Sequence, residues 1–420
     1  MSKVTNASYL AEAEAGFTNR TAMEEAARCL LCHDAPCSKG CPAGTNPAKF
    51  IRSIRFRNVD GAIETIRENN ILGGTCARVC PYDRLCEEAC SRCGIDKPIQ
   101  IGKLQRYAIE QEQLQGLQIL QAPKTKLPGK VVCIGAGPAS LACAAELAKA
   151  GYDVTILEKE AKAGGVLTYG IAPSRLPEEV VEHDVAQVAN LGVKFEFNKT
   201  ATAADLADYD AVFLGTGLWA AQVPAIEGTD LKNVYSAVDF LKCARTQKDA
   251  FQVGKRVVVV GGGDVAVDCA VTAKLLGAEQ VRIVYRRSIA EAPARMEELQ
   301  YALSLGIGMV TEMAPAKLLG SDQVEKAVFT GREGDSESAF AVDTVVFAIG
   351  QGAEDMGALT SAQLSDKGLI VADENGATSQ PGVFAAGDIV HGGKTVVEAV
   401  AAGKKAAAAI LKHLENREDA

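Results

Sequence analysis

Two stretches of this chain carry one pattern: an apolar strand running into glycines, then a helix of small residues. The first is KVVCIGAGPASLACAAELAKAG, followed by the strand-like YDVTILEKE; the second is KRVVVVGGGDVAVDCAVTAKLLGAEQVRIVYRR. Each reads as a strand–helix–strand unit, because a strand buried on both faces is continuously apolar and the glycines mark the turn out of it. Gly135 and Gly261 stand 126 residues apart, so two such units follow one another in the chain. The pattern predicts an α/β protein with two Rossmann-like dinucleotide-binding domains. Beyond Gly350, TSQPGVFAAGDI reads as a strand and glycine turn, and a helix is expected from about Val396 to Leu414.

In the first unit Gly135, Gly137 and Ser140 make G-x-G-x-x-S within Gly135-Ala136-Gly137-Pro138-Ala139-Ser140. The first two glycines permit a tight turn and close approach to a pyrophosphate, which then sits on the helix N-terminus. Ser140 replaces the usual Gly or Ala but is still small. Glu158, beside Lys159, ends the second strand and is suited to an adenosine ribose. The text GGVLTYGIAPSRLP follows, with Gly164, Gly165, Val166, Leu167 and Arg175, and is similar to flavoproteins that hold two dinucleotides. Gly387-Asp388 resembles the flavin-binding aspartate motif of that group. Asp388 would accept from a ribityl hydroxyl. The helix opening at Thr395, Val396 and Val397 would aim its positive end at the isoalloxazine. FAD is expected here.

In the second unit Gly261, Gly263 and Ala266 make G-x-G-x-x-A, with Gly262, Asp264 and Val265 in the same turn and Ala348, Ile349 and Gly350 as a further candidate loop. Its second strand ends in Tyr285-Arg286-Arg287, without the acid that usually marks NAD. Arginine is the better bidentate partner for a 2′-phosphate, so NADPH is favoured and NADH possible. A thioredoxin-reductase dithiol is not expected, since Cys269 stands alone in this zone.

Nine of the thirteen cysteines lie between Cys29 and Cys93. Clustered thiols in a long chain with no secretory apolar run point to metal or redox chemistry rather than a disulfide scaffold. Cys29, Cys32, Cys37 and Cys41 have the spacing C-x2-C-x4-C-x3-C, followed by Pro42; Cys76, Cys80, Cys86, Cys90 and Cys93 follow. The first run is close to the bacterial ferredoxin pattern, in which the fourth cysteine serves the other cluster. Zinc is the alternative, but structural zinc sites usually present paired C-x2-4-C knuckles. Two cubanes need eight ligands, and spacing alone does not say which cysteine is spare. The literal haem motif Cys29-Leu30-Leu31-Cys32-His33 falls inside this run and is read as accidental.

The formal charge of −9 and pI near 5.2 argue against a nucleic-acid polymer as ligand. No stretch has the length and apolarity of a membrane span, and a cytoplasmic location is expected. Three zones follow: residues 1–127 as a helical domain for two 4Fe–4S clusters, 128–240 with 351–420 as a discontinuous FAD-binding domain, and 241–350 as the NAD(P)H-binding domain. In the first zone Thr21 and Glu24 have capping-box spacing, and Asn46 before Pro47 reads as an N-cap. Gln-rich text from Gln111 and the segment APKTKLPG read as the linker.

The text RCLLCHDAPCSKGCPAG…TCARVCP…LCEEAC…IQIGKLQRY resembles the amino-terminal domain of dihydropyrimidine dehydrogenase, and even more the separate electron-input subunit of the bacterial NAD-dependent enzyme. The resemblance extends over essentially the whole chain. It implies that Cys29, Cys32, Cys37 and Cys90 hold one cluster, and that Cys41, Cys80, Cys86 and Gln105 hold the other. Cys76 would then be a non-ligand, and Cys93 stands where the family need not have a cysteine. It also implies a hetero-oligomer: NAD(P)H reduces FAD, the clusters carry single electrons, and a partner subunit with FMN, iron–sulfur centres and a dihydroorotate-dehydrogenase-like barrel reduces uracil or thymine. The glutamate synthase small subunit shares the architecture, but KTVVEAV after GDIV and Gln105 lean toward the pyrimidine enzyme. A ferredoxin:NADP oxidoreductase of the bifurcating type is a further alternative. A non-enzymatic redox sensor would need degenerate nucleotide sites, and these read intact.

Overall fold

Thr18, not Thr21, caps the helix Asn19–Ala27 in the structure, a computed structural model that describes residues 9–247, 250–334 and 336–418. Helix α1 (Asn19–Ala27) begins where Thr18 Oγ1 accepts from Thr21 N at 3.2 Å. The hydroxyl of Thr21 closes the box back onto Thr18, so the cap forms one turn before Glu24 is reached. Asn46 caps α2 (Pro47–Arg55) as the sequence indicates, accepting from Lys49 N at 3.0 Å. Asn58 does the same for α3 (Val59–Asn69) through Gly61 N. Helices α4 (Gly73–Val79) and α5 (Ile101–Gln115) complete the helical zone. Phe50, Ile51 and Ile54 share one face of α2 and pack with Ile63, Ile66, Leu104, Tyr107 and Ile109. The Gln-rich text from Gln111 is therefore not linker: it is the last turn of α5, which ends at a left-handed Gly116. Glu112 keeps that turn helical, because its carboxylate is buried in a partnership described below.

The first Rossmann-like unit forms a parallel sheet from β1 (Lys130–Ile134), β2 (Asp153–Leu157), β3 (Lys194–Glu196), β4 (Ala211–Leu214) and β15 (Val383–Ala385), in the order β15-β4-β1-β2-β3. Helix α6 (Pro138–Ala150) connects β1 to β2, and α7 (Glu178–Asn190) precedes β3. The second sheet is also parallel, with β6 (Val234–Ser236), β7 (Arg256–Val260), β8 (Gln280–Val284), β9 (Gly308–Val310) and β13 (Thr344–Phe347) in the order β6-β13-β7-β8-β9. Helices α8 (Ala237–Thr246), α9 (Asp264–Leu275) and α10 (Met296–Ser304) belong with it, as does an antiparallel ladder of β10 (Met313–Leu319), β11 (Lys326–Gly331) and β12 (Glu337–Ala341). A two-stranded pair joins β5 (Ala220–Ala221) to β14 (Gln351–Gly352). A short α11 (Asp388–His391) and the long α12 (Val396–Glu418) end the chain, and α12 packs along α6. Two compact units result. One comprises residues 14–168, 178–218 and 353–418, so the helical zone and the first sheet fall together; the other comprises residues 9–13, 169–177 and 219–352.

Inside the first unit, Arg67 on α3 is fully buried. Its Nε donates to Glu112 of α5 at 3.0 Å, and its Nη1 to Asp184 of α7 at 2.7 Å. Asp184 also accepts from Gly74 N and Thr75 N at the start of α4, and His183 Nε2 lies 2.8 Å from Glu112 Oε2. Burial pushes the Glu112 carboxyl up, but its bonds with His183 and Arg67 outweigh this and hold it below its ordinary 4.5. A carboxyl lowered in the folded state stabilises the fold above its ordinary value and loses that contribution as pH falls below it. Arg67→Met strands two buried carboxylates and is expected to cost on the order of 3–5 kcal/mol. Urea midpoints at neutral and acid pH check this: the variant should unfold at lower urea and show a smaller loss of stability below pH 4.5 than the wild type.

Candidate functional site

Strand β1 runs into the turn Gly135–Gly137, and α6 starts with Pro138 and no side-chain cap. Its first amide groups are thus left for an anion. Glu158 is built into the floor of this turn: Oε2 accepts from Ala136 N at 2.7 Å and Oε1 from Glu160 N at 2.8 Å, while burial raises its pKa. Gly164 N donates to Ala136 O at 2.8 Å. Gly165 has φ +56°, and a side-chain carbon there would stand 3.1 Å from the Cα of Gly137. Val166 and Leu167 follow in a short helical turn. Gly387 lies over Ala139. Asp388 is largely shielded from water, which raises its pKa, and its Oδ1 accepts from Lys394 N at 2.9 Å. Thr395 and Glu398 cap the start of α12 at Val396 and Val397.

The structure thus brings together Gly135–Ser140, Glu158, Gly164–Leu167, Gly387-Asp388 and the opening of α12. Ser140 Oγ is buried with no hydrogen-bond partner among the described residues. An uncapped helix start, a buried acid and an orphaned hydroxyl fit a dinucleotide such as FAD. Lys159 turns to Glu354, with its Nζ 2.7 Å from the carboxylate. Arg175 falls in the other compact unit, where Nη1 donates to Asp268 at 3.2 Å and Nε lies 3.2 Å from Glu298.

In that second unit β7 runs into Gly261–Gly263, and α9 also starts without a side-chain cap. Gly262 has to be glycine, since any Cβ would collide with the Tyr285 ring, itself held by a bond from its hydroxyl to Glu291 O at 3.0 Å. Asp264 Oδ1 accepts from Arg295 N at 2.9 Å, and Val265 is exposed on the first turn of α9. Ala348 N donates to Val260 O at 2.8 Å, which sets the loop Ala348–Gly350 beside Gly261. Arg286 and Arg287 emerge exposed from the end of β8. Arg286 makes no ion pair among the described residues. Asp268, one turn into α9, is pushed up to about 7 by burial, with Arg175 pulling it back. All these loops sit at the carboxyl ends of parallel strands, where open α/β sheets take their ligands.

Cys29 follows the C-cap Arg28 of α1, and Leu31 before Cys32 is left-handed (φ 54°). The helical turn Pro36–Lys39 carries Cys37, and Cys90 precedes the turn Ser91–Gly94. Cys29, Cys32, Cys37 and Cys90 line one cavity, closed by Ile51, Ile99 and Ile101. Burial, then the neighbouring Cys90, Cys29 and Cys32, push the Cys37 thiol up to about 11. Crowded thiols of this kind ionise only beside a cation, which is what an iron–sulfur cluster supplies. The second group is Cys41, Cys80 and Cys86. Cys80 is raised by a bond with Cys76, by burial, and by Cys41 and Cys86; Cys86 is raised by burial, with Cys41 and Cys37 adding. Gln105 is buried on α5, and its Nε2 donates to Gly73 O at 2.7 Å, at the start of the helix that carries Cys76 and leads to Cys80. Cys93 is exposed, while Cys133, Cys143 and Cys269 are core residues. Sequence reasoning did not find Arg67, Glu112 or Asp184, since nothing local marks partners 45 and 117 residues away.

This combination defines a pyridine-nucleotide-dependent flavoprotein with an iron–sulfur domain ahead of it. The pyridine nucleotide-disulphide oxidoreductase family matches residues 129–403, and the family described as dihydropyrimidine dehydrogenase domain II, 4Fe-4S cluster, matches residues 6–117. The NAD-dependent dihydropyrimidine dehydrogenase subunit PreT of Escherichia coli (strain K12) is 45% identical over 97% of this chain and 98% of that protein. The glutamate synthase [NADPH] small chain of the same organism is 32% identical over 95% of this chain and 93% of that one. Among solved structures, Mycobacterium tuberculosis FprA in complex with NADPH has a TM-score of 0.60 at 19% identity, covering 70% of this chain and 86% of that one. Thioredoxin reductase of T. acidophilum has a TM-score of 0.57 at 23% identity, covering 68% and 99%. The chain belongs to the family of electron-transfer subunits of dihydropyrimidine dehydrogenase, whose domains take FAD, NAD(P) and 4Fe–4S centres. Among the described residues, no helix is long and apolar enough to cross a membrane.

Proposed function

We propose that this chain is the electron-input subunit of a pyrimidine-reducing enzyme. It takes electrons from NADPH and delivers them singly, through two 4Fe–4S clusters, to an FMN- and iron–sulfur-containing partner that reduces uracil or thymine to the 5,6-dihydro form. The observation that carries this reading is the four-thiol cavity of Cys29, Cys32, Cys37 and Cys90, held in the same compact unit as the flavin loops. When bound, FAD links the two-electron chemistry of the nicotinamide to the one-electron chemistry of the clusters. The residues of the chain bind and orient. The amides opening α6 would take the pyrophosphate, Glu158 the adenosine ribose and Asp388 the ribityl chain, and the positive end of α12 would favour negative charge on the flavin.

For the second cluster Cys41, Cys80 and Cys86 supply thiolates and Gln105 the fourth ligand. The Gln105 Nε2 is committed to Gly73 O, which leaves its amide oxygen as the donor atom. Cys76 is assigned to bond with Cys80 rather than to iron. The exposed Arg286 and Arg287 support NADPH, although the bacterial relative is named as NAD-dependent.

Four outcomes test this. The isolated, anaerobically prepared chain should oxidise NADPH with an artificial one-electron acceptor and reduce uracil only when the FMN-containing partner is added; uracil reduction by the chain alone would overturn the reading. It should carry about eight iron and eight sulfide. Gln105→Ala should remove the electron paramagnetic resonance signal of one cluster, while Cys76→Ala keeps both; iron loss in Cys76→Ala would transfer the ligand role to that thiol. Finally, Arg286→Ala should raise KM for NADPH on the order of tenfold and leave NADH nearly unchanged, since a charge-assisted contact to the 2′-phosphate is made in ground and transition states alike. Equal efficiency with both nucleotides, unmoved by the substitution, would show that Arg286 points into solvent.

A further inference from the structure

The long helix α12 starts at the flavin loops and reaches the second cysteine group with one charged side chain. Gly403 lies against the main chain of Ala139 so closely that no side chain would fit, which fixes α12 on α6. The next residue, Lys404, extends its Nζ to Ala43 O at 2.7 Å and Asn69 O at 2.6 Å. Ala43 sits two residues beyond Cys41, inside a turn closed by Gly44 N donating to Cys41 O at 3.0 Å. Two short bonds to main-chain carbonyls are those of an ammonium donor, and they hold its charge beside the Cys41 turn. Burial lowers the pKa of Lys404; Glu146 opposes this, and Lys149, 2.7 Å from Glu146, adds to it. A charge half withdrawn from water acts over several ångströms with little screening.

We propose that Lys404 is an electrostatic tuning residue, whose ammonium raises the reduction potential of the cluster held by Cys41, Cys80, Cys86 and Gln105. This rests on the ligand set proposed above. Reduction of a cluster adds one negative charge, so a fixed cation nearby stabilises the reduced form, and charge is one of the recognised determinants of cluster potential. The side chain also ties α12 to the Cys41 turn, so that the helix meeting the flavin and the loop meeting the iron are positioned by one residue. Its carboxylate neighbour Glu146 damps the effect.

The test is a redox titration of the holo-protein followed by electron paramagnetic resonance, after iron content and both cluster signals are established. Lys404→Gln should lower the midpoint of one cluster by a shift worth on the order of tenfold in the one-electron equilibrium, about 59 mV, and leave the other in place. Lys404→Arg should keep the wild-type value. Glu146→Gln should move the same midpoint upward, because the ammonium is no longer damped. Two intact signals with no shift in Lys404→Gln, or equal shifts in both clusters, overturn the tuning role while leaving the ligand set standing. Wild-type protein with iron for a single cluster would instead overturn the ligand set. Should Lys404→Gln lose iron, Glu146→Gln decides: an unmoved midpoint there overturns the proposal.

Discussion

A guanidinium cut off from water has to find its counter-charges on whatever surrounds it, and Arg67 finds them on two helices other than its own. Glu112 comes from α5 and Asp184 from α7, which belongs to the first sheet. Asp184 then reaches the opening amides of α4, the helix that leads into Cys80. One buried ion cluster thus locks α3, α5 and the start of α4 to the sheet that carries the flavin loops. Each group is stable there only while the others are present, because a lone buried charge is costly and a hydrogen-bonded set is not. Packing of the Phe50, Ile54 and Ile66 core makes the helices stable, but it does not orient them toward the sheet.

The sites built on this frame are complementary in charge. Both dinucleotide turns leave helix amides uncapped, at Gly137 and Gly263, and so present positive ends to anions. The cysteine groups do the reverse. The thiols of Cys29, Cys37 and Cys86 are raised first by burial, with neighbouring thiols adding, and that of Cys80 by its hydrogen bond with Cys76 and by burial, so these become good ligands only when a cation arrives. Lys404, at the far side of the Cys41 turn, is a fixed cation already in place. The unit that carries the cysteine groups therefore also holds one anion-seeking turn, at Gly137. Helix α12 runs between them, with its amino end at the flavin loops and Lys404 two turns further on.

Much of this was legible in the amino-acid sequence, for a local reason. A Rossmann turn is read from residues adjacent in the chain: Gly135, Gly261 and Gly262 have to be small because main chain or an aromatic ring occupies the space, Gly215 beside Gly135, Ala348 beside Gly261 and Tyr285 beside Gly262. Asn46 before Pro47 is a cap for the same kind of reason. Where two local signals competed, the reading shifted, as at Thr21, whose hydroxyl serves the cap at Thr18. The cysteines announced a cluster-binding zone by spacing, but nine thiols for eight places left the assignment to the family resemblance.

What tertiary structure alone decided depends on groups far apart in sequence. Glutamine-rich text after Gln111 looks like linker until Glu112 is seen paired with Arg67, 45 residues earlier, and that pairing is invisible to any local rule. Lys404 reads as one more lysine on an alanine-rich surface helix, yet it bonds to a carbonyl 361 residues away. Arg175, placed by its motif among flavin residues, is held instead by Asp268 and Glu298 in the second unit. Sequence determined which turns would form and what chemistry the side chains could offer, since those depend on neighbours within a few residues. The folded chain decided which charges meet, because a buried charge takes its partner from space rather than from sequence.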